Sequence, residues 1–242
     1  MEFKDFRKIP RLSREIIISE KLDGSNGQIF IYSTKNKLRF PFSDESNIPS
    51  QDFIDEYCVY IHPENPHVEE DDKLYLFAGS RNRWLKIGKQ SDNHGFASWV
   101  KEHGAELVML GEGRHYGEYY GKSIQRGYGL DHKRFALFNV SKWHDKLSEK
   151  RLISVDEKTG EETYTEVAPD CCEVVPILYE GMFDTEVIDA SIEGLKRNGS
   201  KAVPGYFDAE GVVIYHCAAG QYFKKTLVGD DKPKGVTNAR NR

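Results

Sequence analysis

Most apolar segments in this chain are short and β-branched or aromatic, which asks for many short strands. Strands are predicted at residues 15–19, 28–32, 73–78, 106–110, 135–140, 173–178, 211–215 and 221–226. The charged stretch 151–167 reads as a protruding hairpin, with Ile153 and Val155 set against Tyr164 and Val167 around a turn at 156–160. Two segments break the pattern. Phe96, Trp99, Val100 and His103 recur at helical spacing, with Asp92 or Asn93 as cap and Gly104 as stop. Ile188, Ile192 and Leu195 do the same between Asp184 and Asn198-Gly199. The expected architecture is one α+β domain over 1–242, dominated by antiparallel sheet, with a basic C-terminal tail at 227–242. From Lys224 onward six Lys or Arg stand against Asp230 and Asp231, which suits a solvated end as well as a binding arm.

Composition narrows the function classes. At 242 residues the chain can bury a proper core, and 38% hydrophobic with 30% charged residues is ordinary for a soluble protein. No apolar run reaches 18 residues, so no membrane span is expected, and residues 1–14 lack the apolar stretch of a secretion signal. Cys58, Cys171, Cys172 and Cys217 form no C-x-x-C pair, which points to reduced thiols in a cytoplasmic protein. The histidines show no spacing that builds a zinc site with those cysteines. A net charge of −5 argues mildly against indiscriminate nucleic-acid binding, while leaving room for a local basic surface. Gly121-Lys122-Ser123 resembles the end of a phosphate-binding P-loop, but Tyr116 stands where that loop needs its first glycine.

The segment Glu20-Lys21-Leu22-Asp23-Gly24-Ser25-Asn26 lies between two predicted strands. Taken alone, Asp23-Gly24 is a good hairpin turn. A lysine placed there can also be a nucleophile, provided it loses its proton, since its ordinary pKa is about 10.4. Neighbouring cations make that easier, and the strand carrying Lys224 and Lys225 supplies them. Alternation along a strand sends those two lysines to opposite faces, so one of them reaches such a pocket. Carboxylates would be needed for ribose hydroxyls and for a metal that screens phosphate charge. Glu112, after the apolar run 107–110, and Glu210, before the run 211–215, stand at strand ends.

In this order the signals resemble the covalent nucleotidyltransferases, the family of ATP-dependent DNA and RNA ligases and mRNA capping enzymes. Lys21-x-Asp23-Gly24 is similar to their first motif, and Ala78-Gly-Ser-Arg81-Asn-Arg-Trp84 to the next. Gly-Glu after Leu110, Phe135-Ala-Leu-Phe138-Asn139-Val140, Glu210-Gly-Val-Val213 and the Lys224-Lys225 strand resemble the later ones. Asn26 after the turn, together with 92–99 and 123–130, resembles the phage and bacterial RNA-ligase branch.

The resemblance implies an adenylation domain of antiparallel sheets flanked by helices, ATP-grasp-like and without an OB-fold. It implies ATP with Mg²⁺ or Mn²⁺, and RNA or DNA ends bearing 5′-phosphate and 3′-hydroxyl. Lys21 would carry AMP; Glu20 would contact the adenine side, and Asn26 the phosphate or polynucleotide end. Arg81 would bind phosphate, Phe138 would stack on adenine, Glu210 would assist the metal, and Lys224 or Lys225 would hold the α-phosphate. The ribose carboxylate has two candidates: strand logic favours Glu112 and the spacing to 124–126 favours Glu118, and Glu112 is the preferred one. A DNA ligase, a capping-type guanylyltransferase and a non-catalytic end-binding protein of the same fold are the alternatives.

Overall fold

The computed structural model describes residues 13–33, 49–63 and 73–229. In chain order the elements are β1 (Glu15–Lys21), β2 (Ser25–Ser33), α1 (Gln51–Tyr57), β3 (Cys58–Pro63), β4 (Lys73–Ser80), α2 (Phe96–Glu102) and α3 (Gly104–Leu107). A 3₁₀ turn (Val108–Leu110) leads into β5 (Gly113–Gly121), β6 (Lys133–Leu137), β7 (Trp143–His144), β8 (Leu152–Val155), β9 (Glu162–Tyr164) and β10 (Glu166–Val167). Then come β11 (Glu173–Val174), β12 (Ile177–Met182), α4 (Thr185–Asn198), β13 (Gly211–His216) and β14 (Gln221–Thr226). The chain is thus α+β, with mostly antiparallel sheets and few helices. Among the described residues no helix is long and apolar enough to cross a membrane. The expected basic tail lies outside the described residues from 230 onward.

The elements fall into two compact units. A terminal unit takes 1–23 and 175–242, and a central unit takes 24–174. In the terminal unit a four-stranded sheet runs β12-β1-β13-β14, antiparallel throughout. Ile16 and Ile18 of β1 and Val212 and Ile214 of β13 bury one face against Ile192 and Leu195 of α4. Each such side chain contributes about 2 kcal/mol by leaving water. The helix starts where Asp184 accepts from the Glu186 amide at 2.8 Å, and it ends at Gly199, whose φ of +80° few other residues adopt.

The central unit is a six-stranded sheet, β11-β6-β5-β2-β4-β3, antiparallel except between β11 and β6. Here α2 covers one face, its Phe96 and Trp99 packed on Tyr119 and Phe135. Gly27 and Gly117 are paired across β2 and β5 directly beneath these rings. A Cβ on Gly27 would lie 2.8 Å from Phe96, and one on Gly117 would lie 2.4 Å from the Ala136 carbonyl oxygen.

Several expectations change. Residues 106–110 are not a strand but the end of α3 and its 3₁₀ extension. Leu107 and Leu110, three apart, are fully buried while Met109 is 70% exposed, a helical rather than an alternating pattern. Strand 135–140 stops at Leu137, after which the Phe138 amide bonds the Tyr116 carbonyl. The predicted strand 173–178 is two strands, parted at Val175-Pro176, where proline has no N–H to offer a ladder. In the hairpin, Leu152 rather than Ile153 opposes Tyr164, and Val167 pairs with His144 instead. Gly104 begins α3 instead of ending α2. Its bare Cα is required because a Cβ would lie 2.3 Å from the Tyr60 ring.

Candidate functional site

Lys21 is the last residue of β1, and its Nζ donates to Glu210 Oε2 at 2.5 Å. Glu210 stands immediately before β13, where Lys21 pairs with Gly211 across the ladder. Both side chains keep some solvent access, 23% for the lysine and 17% for the glutamate. The pair is therefore neither a surface contact nor sealed from a ligand.

Ladder register separates the two candidate lysines. Ser19, Val213 and Lys224 align across β1, β13 and β14, and Ser19 shares a face with Lys21 two residues on. Lys224 thus stands on the Lys21 face. Lys225 aligns with Val212, on the face that α4 covers, and its Nζ donates to Asp189 of that helix at 2.5 Å.

Glu20 is only 1% exposed and faces the α4 side with Ile16 and Ile18. Its Oε2 accepts from the amides of Lys201 at 2.7 Å and Ala202 at 3.0 Å. That ties the residue beside the candidate nucleophile to the loop after α4. Spacing could not reveal this link, because the partners are main-chain groups 181 and 182 residues away.

In the central unit the turn enters β2 through Gly24. A Cβ there would meet the Tyr119 carbonyl oxygen at 2.4 Å, so only glycine allows the chain this close to β5. Glu118 Oε1 accepts from the Gly24 amide at 3.0 Å, and Glu118 pairs with Asn26 in the ladder. Glu112 precedes β5 at the far end of the same strand pair, where Gly113 opposes Ile31. Of the two candidate carboxylates, the structure brings Glu118 to the motif and leaves Glu112 away from it.

Two further residues converge on this end of the sheet. Asn93 Nδ2 donates to Ser25 Oγ at 2.6 Å, a contact missed because Asn93 reads as a helix cap. The cap position is neither Asp92 nor Asn93 but Gly95, while the Asp92 carboxylate accepts from the first-turn amides of Ala97 and Ser98. Arg81 follows β4 just past its last pair, Ser80 with Gly27, and is exposed. Phe138 is half-buried at the end of β6, not a core residue.

Farther along β5, the Arg114 guanidinium lies 4.9 Å from the Phe30 ring centre and 5.3 Å from that of Trp84. Burial lowers the pKa of His115, and its Nε2 donates to the Gly111 carbonyl at 2.9 Å. Burial likewise pushes the Tyr119 hydroxyl up, so it stays protonated under the Phe96 and Trp99 rings.

The RNA ligase family model matches residues 14–226. No curated protein matches the sequence. Among solved structures, an arginine-to-alanine mutant of Naegleria gruberi RNA ligase with ATP and Mn aligns at 15% identity and a TM-score of 0.43, covering 90% of this chain and 51% of that one. A lysine-to-alanine mutant of Naegleria gruberi RNA ligase in the apo form aligns at 14% identity with the same TM-score, over 90% of this chain and 50% of that one. The chain thus spans about half the length of those solved structures.

Proposed function

This chain belongs to the RNA ligase family, and we propose that it is an ATP-dependent RNA ligase that joins 5′-phosphate to 3′-hydroxyl ends through AMP carried on Lys21. The observation that carries the reading is the Lys21–Glu210 pair at 2.5 Å, held at a strand end inside the matched region. In the same proposal the whole is a nucleotidyltransferase (adenylation) fold, and four free cysteines suit a reducing cytoplasm.

Lys21 must shed a proton before it can attack. Glu210 is the base in contact with its nitrogen, and Lys224 stands on the same face. The Lys21 nitrogen then bonds the α-phosphorus of ATP while the bond to the β-phosphate oxygen breaks and pyrophosphate leaves. Lys224 is the lysine proposed to hold the α-phosphate, since Lys225 is engaged by Asp189. In the second step a 5′-phosphate oxygen displaces Lys21 from the AMP phosphorus. In the third, the 3′-hydroxyl attacks the activated 5′-phosphorus, sealing the strand and releasing AMP.

Glu210 offers hard carboxylate oxygens with partial solvent access, a donor set that fits Mg²⁺ or Mn²⁺. A divalent ion held there would screen the triphosphate charge. Glu20 is proposed to position Lys21 through the 201–202 amides. Glu118 is proposed for the ribose, Phe138 for adenine stacking, and Asn26 and Arg81 for phosphate and the RNA end.

Incubation with α-labelled ATP and Mg²⁺ or Mn²⁺, without RNA, tests the first step. Label that survives denaturation on the native chain and vanishes in Lys21→Ala is the expected result. A folded protein that takes no label with ATP under either metal would overturn the proposal, and label from GTP instead would mark a capping-type enzyme.

A further inference from the structure

Away from the lysine motif, the central unit gathers three metal-binding side chains that the sequence scatters. His103 lies just past the end of α2, Glu106 is in α3, and Cys171 precedes β11. One donor atom from each lies within 4.8 Å of the other two. A single tetrahedral ion bound at about 2.0–2.3 Å needs its donors roughly 3.3–3.8 Å apart, a closure of about 1 Å that side-chain rotation supplies. The set is already partly assembled: a His103 ring nitrogen meets Glu106 Oε1 at 3.3 Å.

The backbone beneath is held in place. The His103 amide bonds the Trp99 carbonyl at 3.0 Å, and its ring packs 4.7 Å from the Trp99 ring. The Glu106 amide bonds the His103 carbonyl at 3.0 Å, and the Cys172 amide closes a turn on the Pro169 carbonyl at 2.8 Å. His103 keeps 29% of its side chain exposed and Glu106 47%, so an ion has an entry path. The sulfur of Cys172 lies 3.9 Å from that of Cys171, adding a second thiol beside the cluster.

We propose that His103, Glu106 and Cys171 form a zinc site that clamps the α2–α3 corner to the segment leading into β11. Imidazole, thiolate and carboxylate together are a zinc donor set, whereas Mg²⁺ prefers oxygen alone. The site is thus separate in chemistry from the metal proposed at Glu210. Binding converts the Cys171 thiol to thiolate and releases its proton to solvent. The bridge closes a loop of some 65 residues that holds β5 and β6, and so restrains the frame on which α2 packs.

The test uses the full chain stripped with a chelator and titrated with Zn²⁺ alone, without nucleotide, with Co²⁺ as an optical probe. One equivalent of zinc should bind, raise the thermal midpoint and resist excess Mg²⁺. Cobalt should give a thiolate charge-transfer band. Cys171→Ser should abolish the band, and Glu106→Gln, on an exposed side chain that leaves the fold intact, should weaken zinc by no less than about tenfold. Cys217→Ser should bind as the native chain does. Absence of zinc binding, unchanged affinity in folded Glu106→Gln, or displacement by Mg²⁺ would overturn the site. None of these readouts depends on ligase activity.

Discussion

The terminal and central units hold their motif residues by opposite means. In the terminal unit the residues are fixed by charge: Lys21 on Glu210, Glu20 on two amides, Lys225 on Asp189. In the central unit they are fixed by shape, where glycines at 24, 27 and 117 let strands and rings approach closer than any Cβ permits. A charged anchor yields when a ligand offers a better partner. A packed glycine does not. The difference fits the proposal that Lys21 acts as a nucleophile and changes partners on a framework that stays in place.

The most severe test of the contrast is Gly117→Val. Its Cβ would stand 2.4 Å from a backbone oxygen, so overpacking should cost about 3 kcal/mol or more and unfold the central unit in a urea titration. A stability loss below about 1 kcal/mol would show that packing here is soft. Next comes the charged side. Lys224→Ala should slow formation of the Lys21 adduct about a hundredfold, while Lys225→Ala stays within about twofold, its exposed ion pair being worth under about 1 kcal/mol. The reverse order would mean that the strand register does not set which lysine acts.

Glu20→Ala should destabilise by about 2 kcal/mol, because the Lys201 and Ala202 amides lose their acceptor, with Glu20→Gln recovering part of that. Equal losses for Ala and Gln in thermal denaturation would assign the effect to charge and not to hydrogen bonding. The smallest effect belongs to His115. Burial depresses its folded-state pKa, so the unfolded chain binds the proton more readily. Its contribution is complete above the unfolded value of about 6.5 and is lost as pH falls through that value toward the folded one. Urea midpoints at neutral and mildly acidic pH should therefore diverge less in His115→Gln than in the native chain.

Local signals were readable without coordinates wherever the physics is local. The strand 221–226 matches β14, and α4 lies between its caps Asp184 and Gly199, because alternation and caps act within a few residues. Where a segment has two readings, local signals failed. Residues 106–110 carry an apolar run that fits a strand or a buried helical turn, and the error made Glu112 look like a strand-end carboxylate.

From residues alone come the sheet-rich α+β class, the lysine motif between two strands and the ordered signals that resemble ligases. All of these live in short stretches with their own periodicity. Tertiary pairing was needed to set Glu118 beside Gly24, to turn Lys224 rather than Lys225 to the Lys21 face, and to bring His103 and Glu106 to Cys171. Those choices depend on register and on contacts across scores of residues. A one-residue slip in register exchanges the two faces of a strand, and no local pattern carries that information.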